Sequence, residues 1–187
     1  RKYFFSFISL FFIFLVATCL YIYDKKGLPQ RYDDSVLKLI DFNYDYAQVY
    51  QKNKCHISKQ NSNKRNLFDK CKVNTKHKKN IYLWGDSLAA HLYPGIKHKY
   101  RDQFNIWQKS ADTCKPFVLY PEDKKKSKCA LINKFIFNEI LNLKPDKIFI
   151  AAAWEKKDLK IIKKTIEELK KQNIENIYLV GPSVRWH

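Results

Sequence analysis

Hydrophobic residues fall into three patterns along this chain. From Tyr3 to Tyr23 they form one unbroken run, with no charged residue among 21 positions. From Asp24 to Lys79 they are scattered among lysines, asparagines and tyrosines with little period. From Asn80 onward, short apolar runs alternate with amphipathic stretches. The runs Ile81–Trp84, Phe104–Gln108, Lys147–Ala152 and Ile177–Val180 predict strands. Leu88–Tyr100, Ala130–Leu143 and Lys156–Gln172 predict helices between them, the last with Leu159, Ile162, Ile166 and Leu169 at helical spacing. Pro94 is expected to bend or split the first of these helices. Strands alternating with helices imply a parallel sheet covered on both faces, and nearly all-apolar strands fit that burial. In the middle region only Ser35–Gln51 reads as a helix, loosely periodic; Asn53–Lys79 reads as loop, and Gly181-Pro182 closes the last strand.

The first run is long enough to cross a hydrocarbon core of about 30 Å. Arg1 and Lys2 flank one end, and Asp24, Lys25 and Lys26 the other. A cleaved signal peptide is usually shorter and ends in a small-x-small site that is not evident here, so a membrane span is expected. The chain opens on Arg1 rather than Met and closes on Trp186-His187 directly after a strand, and it reads as a piece of a longer protein. The predicted organisation is a transmembrane helix over 1–26, a connecting segment over 27–79 and an α/β domain from 80 to 187, incomplete at its C-terminus.

Charge and cysteines bear on where that domain resides. The 187 residues carry 36 Lys and Arg against 18 Asp and Glu, a net charge of +18. The lysines are spread over loops and helix faces rather than gathered in one motif, which reads as solvated surface and argues against a nucleic-acid binder; an anionic envelope surface is the natural partner for such charge. Leaving aside Cys19 in the apolar run, Cys55, Cys71, Cys114 and Cys129 remain. An even number outside the membrane suggests disulfides and an oxidising compartment. Three pairings are open, of which the sequential one closes two short loops. No Cys-x-x-Cys or paired-histidine spacing supports a metal site.

The most informative stretch is Gly85-Asp86-Ser87, between the first strand of the domain and its first helix. Gly85 is expected to supply backbone freedom for a sharp turn. Ser87 then lies at the mouth of a helix, beside unpaired N–H groups that can hold an oxyanion while the hydroxyl attacks an acyl carbon. Asp86 reads as a helix cap or a brace for the turn. His91 shares the helix face of Ser87, but helical side chains point back along the helix, so it reads as a packing or hydrogen-bonding neighbour rather than a base. His56, His77 and His98 lie in polar, lysine-rich surroundings and read as surface residues; His187 is not preceded by an aspartate three positions earlier. Trp154 follows a strand end, where it could pack or form an aromatic wall.

With Gly85-Asp86-Ser87 so placed, the chain resembles the SGNH (GDSL-like) hydrolase superfamily. More narrowly it is similar to the SGNH domain fused behind the acyltransferase-3 membrane domain of bacterial envelope O-acyltransferases. The apolar span leading into Gly27-Leu28-Pro29-Gln30-Arg31 carries this, with Ala89-Ala90-His91-Leu92-Tyr93-Pro94, Ser110–Cys114 with Pro116, and Ala151-Ala152-Ala153-Trp154. The resemblance implies a flavodoxin-like sheet of SGNH type behind one transmembrane helix, with Ser87 as nucleophile and its N–H in the oxyanion hole. Gly85, Asp86, His91, Ser110, Thr113 and Trp154 would surround the oxyanion or substrate. Ala153-Trp154 stands where many SGNH enzymes place an asparagine donor, and Leu88 where a histidine is frequent. The family's late Asp-x-x-His, source of the base, does not occur after residue 150, so this piece alone is expected to be inactive.

The implied activity is transfer of an acyl group, acetyl above all, to an envelope polysaccharide such as lipopolysaccharide O-antigen. The implied setting is the bacterial inner membrane, with the soluble part in the periplasm. Acyl-coenzyme A would be the donor for an upstream acyltransferase membrane domain in the same chain, and this segment would bind no cofactor and no metal. The implied partners are the lipid bilayer and the polysaccharide, not nucleic acid. A periplasmic serine esterase and a non-catalytic glycan-binding domain are the rival readings.

Overall fold

The computed structural model describes residues 2–40, 44–58, 68–120 and 126–181. Part of the lysine run at 124–128, Pro182 and His187 lie outside the described residues. The chain divides into two compact units, Arg1–Tyr44 and Asp45–His187.

In the first unit, α1 (Lys2–Asp24) carries the apolar run, and its Phe, Leu and Ile side chains are exposed almost throughout. At 1.5 Å per residue it extends about 34 Å. It is the one helix among the described residues long and apolar enough to cross a membrane. A short 3-10 turn, Pro29–Arg31, and α2 (Asp34–Ile40) follow. The second unit begins with a single turn of helix, α3 (Tyr46–Val49). The helix expected over Ser35–Gln51 is therefore two short pieces, each without a buried residue to hold it.

The second unit is built on a parallel sheet of β1 (His56–Ile57), β2 (Asn80–Gly85), β3 (Asn105–Ala111), β4 (Lys147–Ala151) and β5 (Ile177–Val180). Its order is β1-β3-β2-β4-β5. Without β1, the remaining four follow the flavodoxin-like order. The helices α4 (Ser87–Tyr100), α5 (Lys128–Leu143) and α6 (Leu159–Lys171) connect them. The edge strand β1 lies in the stretch that reads as loop, so the sheet starts well before residue 80. Its residues pair His56 with Ser110 and Ile57 with Ala111.

The two-residue alternation of strands sorts the core. Tyr82, Trp84, Ile148 and Ile150 face α5, whose Ile132, Ile136 and Ile140 are fully buried, and Leu169 of α6 joins them. Ile81, Leu83, Phe149 and Ala151 face the opposite way, towards Ala89, Leu92, Tyr93 and Ile96 of α4. The expected stripe on α6 is offset: Ile162, Thr165 and Leu169 are buried while Leu159 is 61% exposed. A 3-10 turn at Lys156–Asp158 precedes α6 and sets its first turn outward. Pro94 neither splits nor ends α4; it occupies an exposed position within a helix that continues to Tyr100.

Two disulfides, Cys55–Cys71 and Cys114–Cys129, realise the sequential pairing and close loops of 16 and 15 residues. The first ties β1 to the segment leading into β2, and the second ties the loop after β3 to α5. One charged cluster is buried in this region. Glu139 accepts a hydrogen bond from the Tyr82 hydroxyl and pairs with Lys109, whose ammonium lies 5.1 Å from the rings of both Phe68 and Phe135. Burial, reinforced by the Glu139 charge, pushes the Tyr82 phenol well above its ordinary pKa.

Candidate active site

The register brings the carboxyl ends of the strands to one edge. Gly85 pairs with Ser110 on one side and Ala151 on the other, and Ala151 pairs with Val180. The segments leaving that edge begin with Asp86-Ser87, Asp112-Thr113 and Ala152-Ala153-Trp154. Ligands of open α/β sheets bind beyond such an edge.

Asp86 organises the turn. It is the N-cap of α4: one carboxylate oxygen accepts from the N–H of Leu88 at 2.8 Å, the other from the N–H of Ala153 at 2.9 Å. Its own N–H donates to the Ala151 carbonyl at 3.2 Å. Asp86 is thereby buried and tied to the exit of β4, a brace rather than a group open to a ligand. Gly85 serves a different end from the one its sequence context suggests. Its φ does not lie in the left-handed region; instead, a Cβ there would meet the Ala151 carbonyl oxygen at 1.8 Å and the Ala89 Cβ at 2.9 Å. The glycine is required by close approach of the neighbouring strand, not by the turn.

Ser87 opens α4 and is half-buried. Among the described residues neither its hydroxyl nor its N–H has a hydrogen-bond partner, whereas Asp86 takes the Leu88 N–H and the Asp86 carbonyl takes those of Ala89 and Ala90. An unengaged hydroxyl beside an unengaged N–H at a helix mouth is what acyl attack with oxyanion support needs.

The loops around it are held from several sides. Ser110 is fully buried: its N–H donates to the Cys55 carbonyl at 3.0 Å, and its hydroxyl lies 2.9 Å from Nδ1 of His56. The other ring nitrogen of His56 is 2.8 Å from the Asp112 carboxylate. Contrary to the surface reading, His56 is 4% exposed, because β1 carries it into the sheet edge. Ser110, His56 and Asp112 have the connectivity of a hydrolytic triad, yet the hydroxyl is sealed from solvent and no substrate can reach it. The set fixes the loop after β3. That loop bends through Thr113, a β-branched residue at φ 58°, closed by the Cys114 N–H to the Ala111 carbonyl at 3.1 Å. Such a conformation costs on the order of 1–3 kcal/mol and persists only where its surroundings enforce it.

His91 is exposed on α4, with Nδ1 3.2 Å from the Tyr50 hydroxyl, and the Tyr50 ring in turn meets His56 edge-on at 5.9 Å. Trp154 donates its indole N–H to the Val180 carbonyl at 2.7 Å and lies against Phe117 at 6.3 Å, an anchored residue with a partly open face. Near it, Lys115 bonds Glu155 at 2.7 Å and Asp158 at 2.6 Å, joining the β3–α5 loop to the β4–α6 loop. Lys115 and Lys157 hold the Glu155 carboxyl at a pKa of about 2. Burial works to lower the Lys115 pKa, but its bonds to Asp158 and Glu155 outweigh this and raise it. Sequence reasoning missed both His56 and Lys115, because the hydrogen-bond partners of each side chain lie 40 or more residues away along the chain and leave no local signal. Among the described residues no group of His, Cys, Asp and Glu is placed to hold a metal ion.

Residues 54–186 match the family model of the SGNH domain fused to AT3 domains, well over half of the chain. The chain belongs to that family. Among solved structures, the SGNH domain is similar to the periplasmic domain of a lipopolysaccharide acetyltransferase from Salmonella ser. Paratyphi A, with a TM-score of 0.57 and 22% identity. The alignment covers 74% of this chain and 56% of that one, so the present chain spans little more than half of the neighbour's length. At this identity the likeness establishes the fold. None of the curated proteins matches the chain. For the SGNH domain, the match from residue 54 agrees with the sheet in taking β1 and its disulfide into the domain.

Proposed function

We propose that this SGNH domain transfers acyl groups, acetyl in particular, to hydroxyls of a cell-envelope polysaccharide such as lipopolysaccharide O-antigen, with Ser87 as nucleophile. The observation that carries the reading is the unengaged hydroxyl and N–H of Ser87 at the mouth of α4, in a domain of a family fused to AT3 domains. The solved neighbour's description as a lipopolysaccharide acetyltransferase supports the choice of reaction and acceptor.

In the first half-reaction the Ser87 Oγ bonds to the acyl carbon of the donor, its proton passes to a base, and the bond to the donor's leaving group breaks as that group takes the proton from the base. The Ser87 N–H faces the developing oxyanion. In the second, a sugar hydroxyl attacks the acyl-serine and gives its proton to the same base, which passes it to the Ser87 Oγ as the acyl–serine bond breaks, leaving the acylated sugar and the free serine. Within the described residues the histidines nearest this edge are engaged, His56 on both nitrogens and His91 with Tyr50. The base is assigned to the Asp-x-x-His pair of the SGNH pattern, which residues 150–187 do not contain. α1 is read as the inner-membrane anchor and the disulfides as marks of the periplasm, with an upstream AT3 domain delivering acyl groups from acyl-coenzyme A.

The test is the O-acetyl content of surface polysaccharide, read by NMR in cells carrying the full-length gene or its Ser87→Ala variant. Loss of O-acetylation with unchanged protein level, together with an acetyl mass adduct on the Ser87 peptide of the wild type, is expected. Full O-acetylation by Ser87→Ala would refute the reading. Deacetylation by the wild type, lost in the variant, would make it an esterase.

A further inference from the structure

Away from Ser87, the flank of α4 carries a second concavity that the acyl-transfer chemistry does not use. It is a cavity of about 520 Å³ between Tyr93 and Lys97 on α4, Arg101 at its C-cap, the segment 72–77, and the start of β3. Among the described residues four cations line it, Lys72, Lys76, Lys97 and Arg101, against a single carboxylate, Asp102. Asp102 does not neutralise the group: among the described residues it reaches Arg101 alone, at 3.9 Å, and its side chain is 89% exposed. The floor is apolar, formed by the buried Phe104 and Ile106, and Tyr93 adds a half-buried ring with the Lys97 ammonium 5.5 Å from its centre.

The walls are fixed in advance. His77 is held to β3 through its N–H to the Asn105 side chain at 2.8 Å, and its carbonyl accepts from the Asn105 amide at 2.6 Å. Its ring donates from Nε2 to the Arg101 carbonyl at 2.9 Å, which binds the segment to the end of α4. A concave site with one sign of charge and low-dielectric walls focuses its field and raises the local concentration of counter-charged ligand. Ammonium and guanidinium groups form their strongest hydrogen bonds with carboxylate and phosphate oxygens, while the ring and apolar floor suit the C–H face of a sugar.

We propose that this cavity binds an acidic sugar unit, carboxylate- or phosphate-bearing, of the glycan on which the domain acts. The proposal rests on the polysaccharide reading above and extends it. Tyr93 lies six residues along α4 from Ser87, about 9 Å at the helical rise, and Arg101 about 21 Å. A glycan seated by its acidic unit would therefore run along α4 with a neutral residue free to approach the serine. A flat membrane surface would not need the recessed aromatic floor.

The test uses the whole chain in zwitterionic detergent, with fluorescently labelled tri-galacturonic acid as probe and a neutral galactose trimer for comparison. The acidic trimer is expected to bind, more weakly as salt rises, and the neutral trimer at least tenfold more weakly. The variant Lys72→Ser/Lys76→Ser/Lys97→Ser/Arg101→Ser, all at exposed positions, should lose at least tenfold in affinity with unchanged near-UV circular dichroism. A control removing the same charge from exposed lysines beside and on α6, Lys156, Lys160, Lys163 and Lys164 to Ser, should keep it within threefold. The single reversal Lys97→Glu should also weaken binding. Equal loss in the control, or equal binding of the neutral trimer, would overturn the proposal. So would binding to anionic phospholipid vesicles without binding of the acidic trimer. The phosphate-bearing alternative is distinguished by competition with inorganic phosphate against free galacturonate; competition by either supports the site and names its anion. Ser87→Ala should leave this binding intact, so failure of the catalytic reading and failure of the cavity are separable.

Discussion

Replacing Gly85 by alanine puts the close approach of β2 and β4 to a direct test. The added Cβ would fall 1.8 Å from the Ala151 carbonyl oxygen and 2.9 Å from its carbon, both backbone atoms of the paired strand. Reaching normal contact requires a displacement on the order of 1.5 Å, and no side chain can turn aside to provide it. The displaced carbonyl is also the acceptor for the Asp86 N–H. Overpacking in a well-packed interior costs about 1–3 kcal/mol, and with rigid backbone on the far side the upper end applies. At roughly 2–4 °C per kcal/mol for a chain of this size, the melting temperature should fall by about 6–12 °C. Gly95→Ala is the internal comparison. Gly95 lies inside α4 with nothing within 4 Å of the added methyl, so the substitution should stabilise by about 0.5–1 kcal/mol. Thermal unfolding of both variants by circular dichroism would decide. A melting temperature for Gly85→Ala within 2 °C of wild type would refute the packing argument outright.

Other outcomes follow from the same geometry. Reducing the disulfides, or replacing Cys114 and Cys129 by alanine, should cost about 3 kcal/mol per 15-residue loop in urea unfolding. Asn133→Leu removes the acceptor of the buried Trp84 indole N–H and the donor to the Tyr120 hydroxyl, whose pKa burial raises to about 12. A loss of about 1–3 kcal/mol should follow, seen as a lower urea midpoint at unchanged slope. For Glu155 the folded carboxyl titrates at about 2, below its ordinary 4.5. Its contribution is complete above pH 4.5 and lost as pH falls towards 2. Lys115→Gln should therefore flatten the acid limb of a melting-temperature profile between pH 5 and 2.

Much of this fold is legible because its strands are local apolar runs. β2, β4 and β5 are found within a residue or two of their expected places, and the cap of α4 is readable in Asp86-Ser87. What escapes is set by partners far along the chain. His56-Ile57 carries no periodic signal among lysines and asparagines. It becomes a strand because Ser110 and Ala111, 54 residues on, supply its ladder, and because Cys71 holds it in place. Gly85 invites a local explanation through φ, whereas its neighbour is a carbonyl contributed by β4. The inward position of Thr165 rests on its hydroxyl accepting the Val118 N–H at 3.2 Å, a bond that no hydrophobic count contains. Ser87 itself is found from three consecutive residues. The loops that surround it are fixed by long-range bonds to His56 and Lys115 and are invisible at that range.

The brevity of β1 has a consequence for handling the protein. Two residues are too few to hold an edge by ladder bonds alone, and the cross-link from Cys55 to Cys71 keeps them against β3. Without it the upper part of β3 would present unpaired N–H and C=O groups beside Ile57 and Phe68, apolar residues released from the core. Such an edge is a template for pairing with another chain. In a reducing compartment this domain would therefore be not merely less stable but self-associating, and the bridge is best regarded as a cover on a sticky margin.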